Sequence, residues 1–157
     1  MRARGFTHVS VSATDLEESV RFYTDFFGME EVPSPDFSGP VRWLRVGDLQ
    51  LHLFLDGDPA PEGHHFALDV DDFEAAYKRA EELGIRDKDR YSAVRALPCG
   101  AVQMYLRDPA GNLVEVNWPD VTTLDRTVVT GIVKRDVPQT GEALRATLYL
   151  RKDRVPG

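Results

Sequence analysis

Two imidazoles, a carboxylate and an amide recur at matched places in this 157-residue chain. His8 and His65 each open a strand-like run. Gln50 and Glu115 each sit near the start of a later run, just past a turn. Two neutral imidazoles and one carboxylate bind a borderline divalent cation (iron, manganese, zinc, nickel or cobalt) and leave positions open for a substrate. A lone histidine on a strand is more often a satisfied or exposed side chain than a ligand. The pairing of His8 with His65, and of Gln50 with Glu115, is what favours the metal.

The elements that must position these residues repeat. After His8, Val9 and Val11 alternate with Ser10 and Ser12, which predicts a strand. Thr14 or Asp15 then caps a helix with acids in its first turn. Val20, Phe22, Tyr23, Phe26 and Phe27 recur at helical spacing, and Gly28 closes the helix. The second half begins with a strand over His65 to Val70. Asp71 or Asp72 caps a helix carrying Phe73, Ala76, Tyr77, Ala80 and Leu83, and Gly84 closes it. Asp15 to Gly28 and Asp71 to Gly84 have the same separation.

Three strands are predicted after each helix. In the first half they are Glu30 to Val32, Val41 to Val46 and Leu49 to Leu55, with Gly47-Asp48 as a two-residue hairpin turn. In the second they are Arg90 to Leu97, Val102 to Leu106 and Leu113 to Trp118, with Asp108 to Asn112 as the matching turn. Each half is therefore a βαβββ module. Pro33 to Pro40 is a loop, and Asp56 to Gly63 is the linker. Beyond Trp118, Thr127 to Val133 and Ala143 to Leu150 read as two strands or a strand and a short helix. Strand alternation puts Leu49, Leu51 and Leu53 on one face and Gln50, His52 and Phe54 on the other. Likewise Val114 and Val116 oppose Glu115 and Asn117. If the aliphatic faces pack under the helices, two such sheets about a pseudo-twofold axis bring His8, His65, Glu115 and Gln50 together.

Composition narrows the partners. The net charge of -7 leaves no basic patch dense enough for nucleic acid. Apolar runs are strand-sized, so no membrane span is expected. No apolar signal core follows the N-terminal Met-Arg-Ala-Arg-Gly. Cys99 is the single cysteine, so no intrachain disulfide forms. These features read as a cytoplasmic protein acting on, or binding, a small molecule.

Three segments carry a family resemblance. Phe6 to Val11 with Asp15-Leu16, Phe22-Tyr23 and Phe27-Gly28-Met29 resembles the opening motif of the vicinal-oxygen-chelate superfamily of glyoxalases, bleomycin-resistance proteins and ring-cleaving dioxygenases. Gly63 to Asp72 is similar to its second-module opening, and Tyr105 to Glu115 to its closing motif. The resemblance spans about residues 5 to 118. It implies an α+β fold in which two βαβββ modules form a pair of curved, mixed-sheet half-barrels with helices outside. Residues 1–120 would be one domain with modules at about 5–56 and 63–118. Residues 121–157 would be an extension packed on the domain or at a dimer interface. It also implies a homodimer, and a divalent metal held by His8, His65 and Glu115.

Several reactions stay open under that resemblance. In an extradiol dioxygenase, the triad would hold Fe(II), Tyr105 would bond the substrate and His52 would serve as acid-base residue. The signature wants a histidine shortly before the tyrosine, and Arg95 to Cys99 has none. In a lyase or isomerase of the glyoxalase or epimerase kind, Gln50 is a fourth ligand, the metal acts as a Lewis acid, and Glu31 or Glu62 is a candidate base. A thiol transferase of the fosfomycin-resistance kind would use the same triad, with Ser10 where a threonine is usual and with Arg95, Arg107 and Arg126 as available cations. A non-enzymatic drug-binding dimer needs no metal. Trp43, Phe54, Tyr105 and Trp118 would line its groove, although Trp118 alternates onto the face opposite Glu115 and suits the core better. Trp43, Phe54 and Asn117 are the residues expected along a substrate pocket.

Overall fold

The computed structural model describes residues 2–58, 60–134 and 137–148. The first module runs β1 (His8–Ala13), α1 (Leu16–Phe27), β2 (Glu30–Val32), β3 (Val41–Val46) and β4 (Leu49–Leu55). The second runs β5 (His65–Asp69), α2 (Phe73–Leu83), β6 (Arg95–Ala96), β7 (Val102–Arg107) and β8 (Leu113–Trp118). The chain is thus α+β, with the βαβββ order repeated.

The helices begin and end for local reasons. The Asp15 carboxylate accepts from the Glu18 N–H at 2.9 Å, satisfying one of the donors that a helix start leaves unpaired. Gly28 then turns the chain at φ 64°, a left-handed conformation in which a Cβ is strained. Asp72 and Gly84 do the same for α2, with Asp72 accepting from the Ala75 N–H at 2.8 Å. Asp72, rather than Asp71, is the cap, so α2 starts one residue later in the repeat. Asp15→Ala is expected to cost about 1 kcal/mol. Urea unfolding monitored by far-UV circular dichroism measures it, and an unchanged midpoint would refute the capping role.

The first sheet has the order β1-β4-β3-β2, with β1 parallel to β4 and the other pairs antiparallel. Its helix face is apolar. Ala13, Leu44, Leu51 and Leu53 are buried there, and α1 packs on β3 and β4 with Val20 and Tyr23 inward. Burying each such leucine side chain contributes about 1.5–3 kcal/mol. Arg42, also on the helix side by alternation, meets Glu17 of α1 at 2.5 Å and Glu31 of β2 at 3.2 Å.

The second sheet has the order β5-β8-β7-β6-β9, where β9 is Val133–Lys134. β8 is buried along its whole length. Val102, Met104 and Leu106 of β7 share the apolar side with Val114 and Val116, all of them 0% exposed. Trp118 is buried as well, and its indole N–H donates to the Thr123 hydroxyl at 2.8 Å, so its role is packing.

Two expectations change. The strand expected over Arg90 to Leu97 shrinks to Arg95–Ala96. Pairing with β7 begins earlier instead, where Arg86 bridges Leu106 and the Asp87 N–H donates to Tyr105 O. It then breaks, because the Asp87 carboxylate accepts from the Tyr91 N–H at 2.7 Å and bends the chain between them. In the tail, Val133–Lys134 forms the edge strand β9, parallel to β6. Short 3-10 turns take up Val121–Thr123 and Gly141–Arg145. Residues 146–148 have no regular structure, and the last part of the Ala143 to Leu150 expectation, from 149 on, lies outside the described residues. Among the described residues no helix is long and apolar enough to cross a membrane.

The described residues divide into two compact units. One runs to Phe66 and adds Arg107–Asn112; the other holds Ala67–Leu106 and those from Leu113 onward. Inside the first unit lies a buried polar network. The Tyr23 hydroxyl donates to Asp108 Oδ2 at 2.8 Å, and Asn112 Nδ2 donates both to that same oxygen at 2.8 Å and to the Ser12 carbonyl at 2.7 Å. Asp108 Oδ1 accepts from the N–H groups of Ala110 and Asn112 at 3.0 and 2.7 Å.

Candidate functional site

Register decides which side chains share the face of the first sheet turned away from α1. Directly paired residues point the same way. His8 pairs with Gln50, and Gln50 with Arg45. One step along the strands, Ser10 pairs with His52 and His52 with Trp43. One step further, Ser12 pairs with Phe54 and Phe54 with Val41. The side opposite the leucines therefore carries the chemistry-bearing residues of β1, β3 and β4, as alternation predicts.

His52 is the centre of that face. Its ring stacks on His8 at 4.2 Å and 11° and on Trp43 at 4.2 Å and 4°. Only 6% of the residue is exposed. Its Nε2 stands 3.0 Å from Gln50 Oε1; since the amide oxygen only accepts, Nε2 carries the proton and donates. Burial, and then the neighbouring His8, hold the imidazole below its ordinary pKa of 6.5. Trp43 is half-buried. Its indole nitrogen has no hydrogen-bond partner among the described residues, an uncommon state for a buried donor.

The first histidine is anchored by its other nitrogen. His8 Nδ1 is 2.9 Å from the Thr7 hydroxyl. With Nδ1–H donating there, Nε2 carries the lone pair, the tautomer a metal ligand requires. His65 matches it, since its Nδ1 is 3.0 Å from the Gly63 carbonyl, which can only accept.

In the second sheet, β8 carries Glu115. Glu115 is a buried carboxylate. Gln103 Nε2 donates to Oε1 at 2.6 Å and the Tyr105 hydroxyl to Oε2 at 2.5 Å. Burial, then the bond to Glu115 and that carboxylate's charge, push the Tyr105 phenol well above its ordinary range, so it remains a donor. Tyr91 packs against the Tyr105 ring at 4.6 Å. Asn117 shares the Glu115 face by alternation and is 3% exposed, with an Oδ1 that has no partner among the described residues.

The structure therefore brings His8, Gln50, His52, Trp43 and Phe54 onto one face, and Glu115, Tyr105 and Asn117 onto another. Among the described residues, no group of three or more His, Cys, Asp or Glu side chains is gathered closely enough to hold a metal ion. The donor chemistry nevertheless suits a borderline dication. Both histidines have an anchored Nδ1, and Glu115 supplies a carboxylate oriented by Gln103 and Tyr105. Gln103 is the residue that sequence reasoning missed. Its position two before Tyr105 on β7, on the same face, was the available signal.

A family model described as Glyoxalase/Bleomycin resistance protein/Dioxygenase superfamily matches residues 5–116. Methylmalonyl-CoA epimerase, mitochondrial, of Mus musculus is 27% identical over 124 residues, covering 69% of this chain and 70% of its own. A trivalent organoarsenical cleaving enzyme of Bacillus sp. (strain MD1) is 32% identical over 124 residues, 74% of each chain. Among solved structures, a lactoylglutathione lyase from Agrobacterium tumefaciens matches with a TM-score of 0.57 and 26% identity, over 74% of this chain and 95% of that one.

Proposed function

We propose that this chain, which belongs to the Glyoxalase/Bleomycin resistance protein/Dioxygenase superfamily, is a divalent-metal-dependent lyase or isomerase acting on a small molecule through two vicinal oxygens. The observation that carries this reading is the register of Gln50, directly paired with His8 on the same face. An amide beside the first histidine supplies a fourth protein ligand and leaves two positions for a substrate's oxygens. An extradiol site needs a third open position for dioxygen. The epimerase and the lactoylglutathione lyase among the similar proteins agree in reaction class.

In this reading His8, Gln50, His65 and Glu115 hold iron, manganese, zinc, nickel or cobalt. A cation there supplies Lewis-acid polarisation of a substrate carbonyl. Tyr105 and Gln103 fix the Glu115 carboxylate, the Gly63 carbonyl fixes the His65 tautomer, and the Thr7 hydroxyl holds His8 Nδ1. His52 positions Gln50, because its N–H already points at the amide oxygen. Of the two carboxylates considered as proton acceptor, Glu31 faces the helix side and pairs with Arg42. Glu62, exposed and three residues before His65, is the candidate that remains. The active form is a cytoplasmic homodimer.

A second reading, cleavage of a trivalent organoarsenical, draws on the 32% identical relative and on the exposed thiol of Cys99. Trivalent arsenic is a soft thiophile best held by several thiolates, and this chain has one cysteine.

Gln50→Ala tests the choice. It is expected to lower zinc affinity about tenfold or more, measured by equilibrium dialysis. Unchanged metal affinity, together with oxygen uptake on a catechol panel, would overturn the lyase reading in favour of the dioxygenase.

A further inference from the structure

We infer that the open face of the first sheet carries a subsite for a planar apolar group, an aryl substituent of the substrate, walled by Trp43, Phe54 and Phe37. The inference rests on the metal reading only for the substrate's polar end.

Along β4 this face presents Gln50, His52 and Phe54 in turn, each step about 7 Å. Polarity falls along that line, from the amide beside His8 to an aromatic ring. Three apolar rings converge at its far end. Phe37 lies 6.0 Å from Trp43 at 50° and 6.5 Å from Phe54 at 63°. Phe37 meets Phe54 edge to face and Trp43 at a tilt, so the Phe37 and Phe54 rings are not stacked on each other. Phe37 is 51% and Phe54 38% exposed, an unfavourable state for two adjoining phenylalanines that a ligand would relieve.

The neighbouring strand leaves room. On β1 the residues paired with His52 and Phe54 are Ser10 and Ser12, the smallest side chains on this face. The aromatic rings on one side and the small serines on the other are the walls assigned to the subsite. A flat ring fits such walls better than a branched or puckered group, because only the flat ring gains the quadrupole contacts.

Three 2-hydroxy acids with the same chelating head test this by isothermal titration calorimetry on the full-length, zinc-loaded protein: lactate, 3-phenyllactate and 3-cyclohexyllactate. 3-Phenyllactate is expected to bind roughly tenfold tighter than lactate, and several-fold tighter than the cyclohexyl compound. Phe37→Ala and Phe54→Ala should each draw the phenyllactate-to-lactate ratio toward one, with circular dichroism confirming that these exposed substitutions leave the fold intact. Equal affinity for 3-phenyllactate and lactate, or no binding of either, overturns the subsite. Equal affinity for the phenyl and cyclohexyl compounds overturns its planar character. A metal reading that fails shows itself separately, as protein that retains no zinc after loading and dialysis in direct metal analysis of the same sample.

Discussion

Glu115→Gln is expected to lower divalent-cation affinity at least about 100-fold. The substitution keeps the volume of the side chain and an acceptor oxygen, so the packing around β8 stays filled. It removes the negative charge and one of the two oxygens to which Tyr105 and Gln103 donate. A carboxylate ligand offsets the charge of a dication in a buried site, and a neutral amide there is a far weaker donor. Competition against a chromophoric chelator measures the loss, and thermal unfolding of the metal-free variant checks the fold. Affinity within threefold of the unsubstituted protein would remove Glu115 from the ligand set.

Asp108→Ala is expected to cost about 3 kcal/mol and, for a chain of this size, to lower Tm by roughly 10 °C. The carboxylate accepts from the Tyr23 hydroxyl, from Asn112 Nδ2 and from two backbone N–H groups in a buried setting. Removing it strands those donors where water does not replace it, whereas an ordinary surface substitution strands none. Scanning calorimetry measures the change, and a Tm equal to that of the unsubstituted protein would show the network to be inessential. The same network predicts a pH effect. Burial, then the Asp108 charge and the hydrogen bond to it, hold the Tyr23 phenol well above its ordinary value of 10.0. The folded state keeps a proton that the unfolded chain releases above pH 10, so this contribution is present below pH 10 and is lost as pH rises beyond it. Tyr23→Phe should therefore flatten the decline of stability above pH 10 and lower stability below it. An identical alkaline slope in the variant would refute the assignment.

Much of the arrangement was legible in the residues. Alternation along β4 separated Leu49, Leu51 and Leu53 from Gln50, His52 and Phe54, and the register confirms those faces. Asp15, Gly28 and Gly84 marked helix ends because caps act through neighbouring backbone. Less local features were harder to read. Arg90 to Leu97 has strand composition, yet the Asp87 carboxylate takes the Tyr91 N–H and interrupts the ladder. The edge strand at Val133 is only two residues long and has no periodicity to detect. Asp108 reads as a turn residue, and nothing near it in sequence announces that its carboxylate meets Tyr23, 85 residues away. His52 reads as an acid-base candidate, and its stacking between His8 and Trp43 depends on strand pairing that a single run of residues does not display.

The central claim is a metal site built from His8, Gln50, His65 and Glu115. Elemental analysis of untagged protein, purified anaerobically without chelators beside a His8→Ala/His65→Ala control, tests it most directly. About one divalent metal ion per chain, lost in the control, is the predicted result. No bound metal after reconstitution with iron, manganese, zinc, nickel and cobalt, or equal metal in the control, would contradict it.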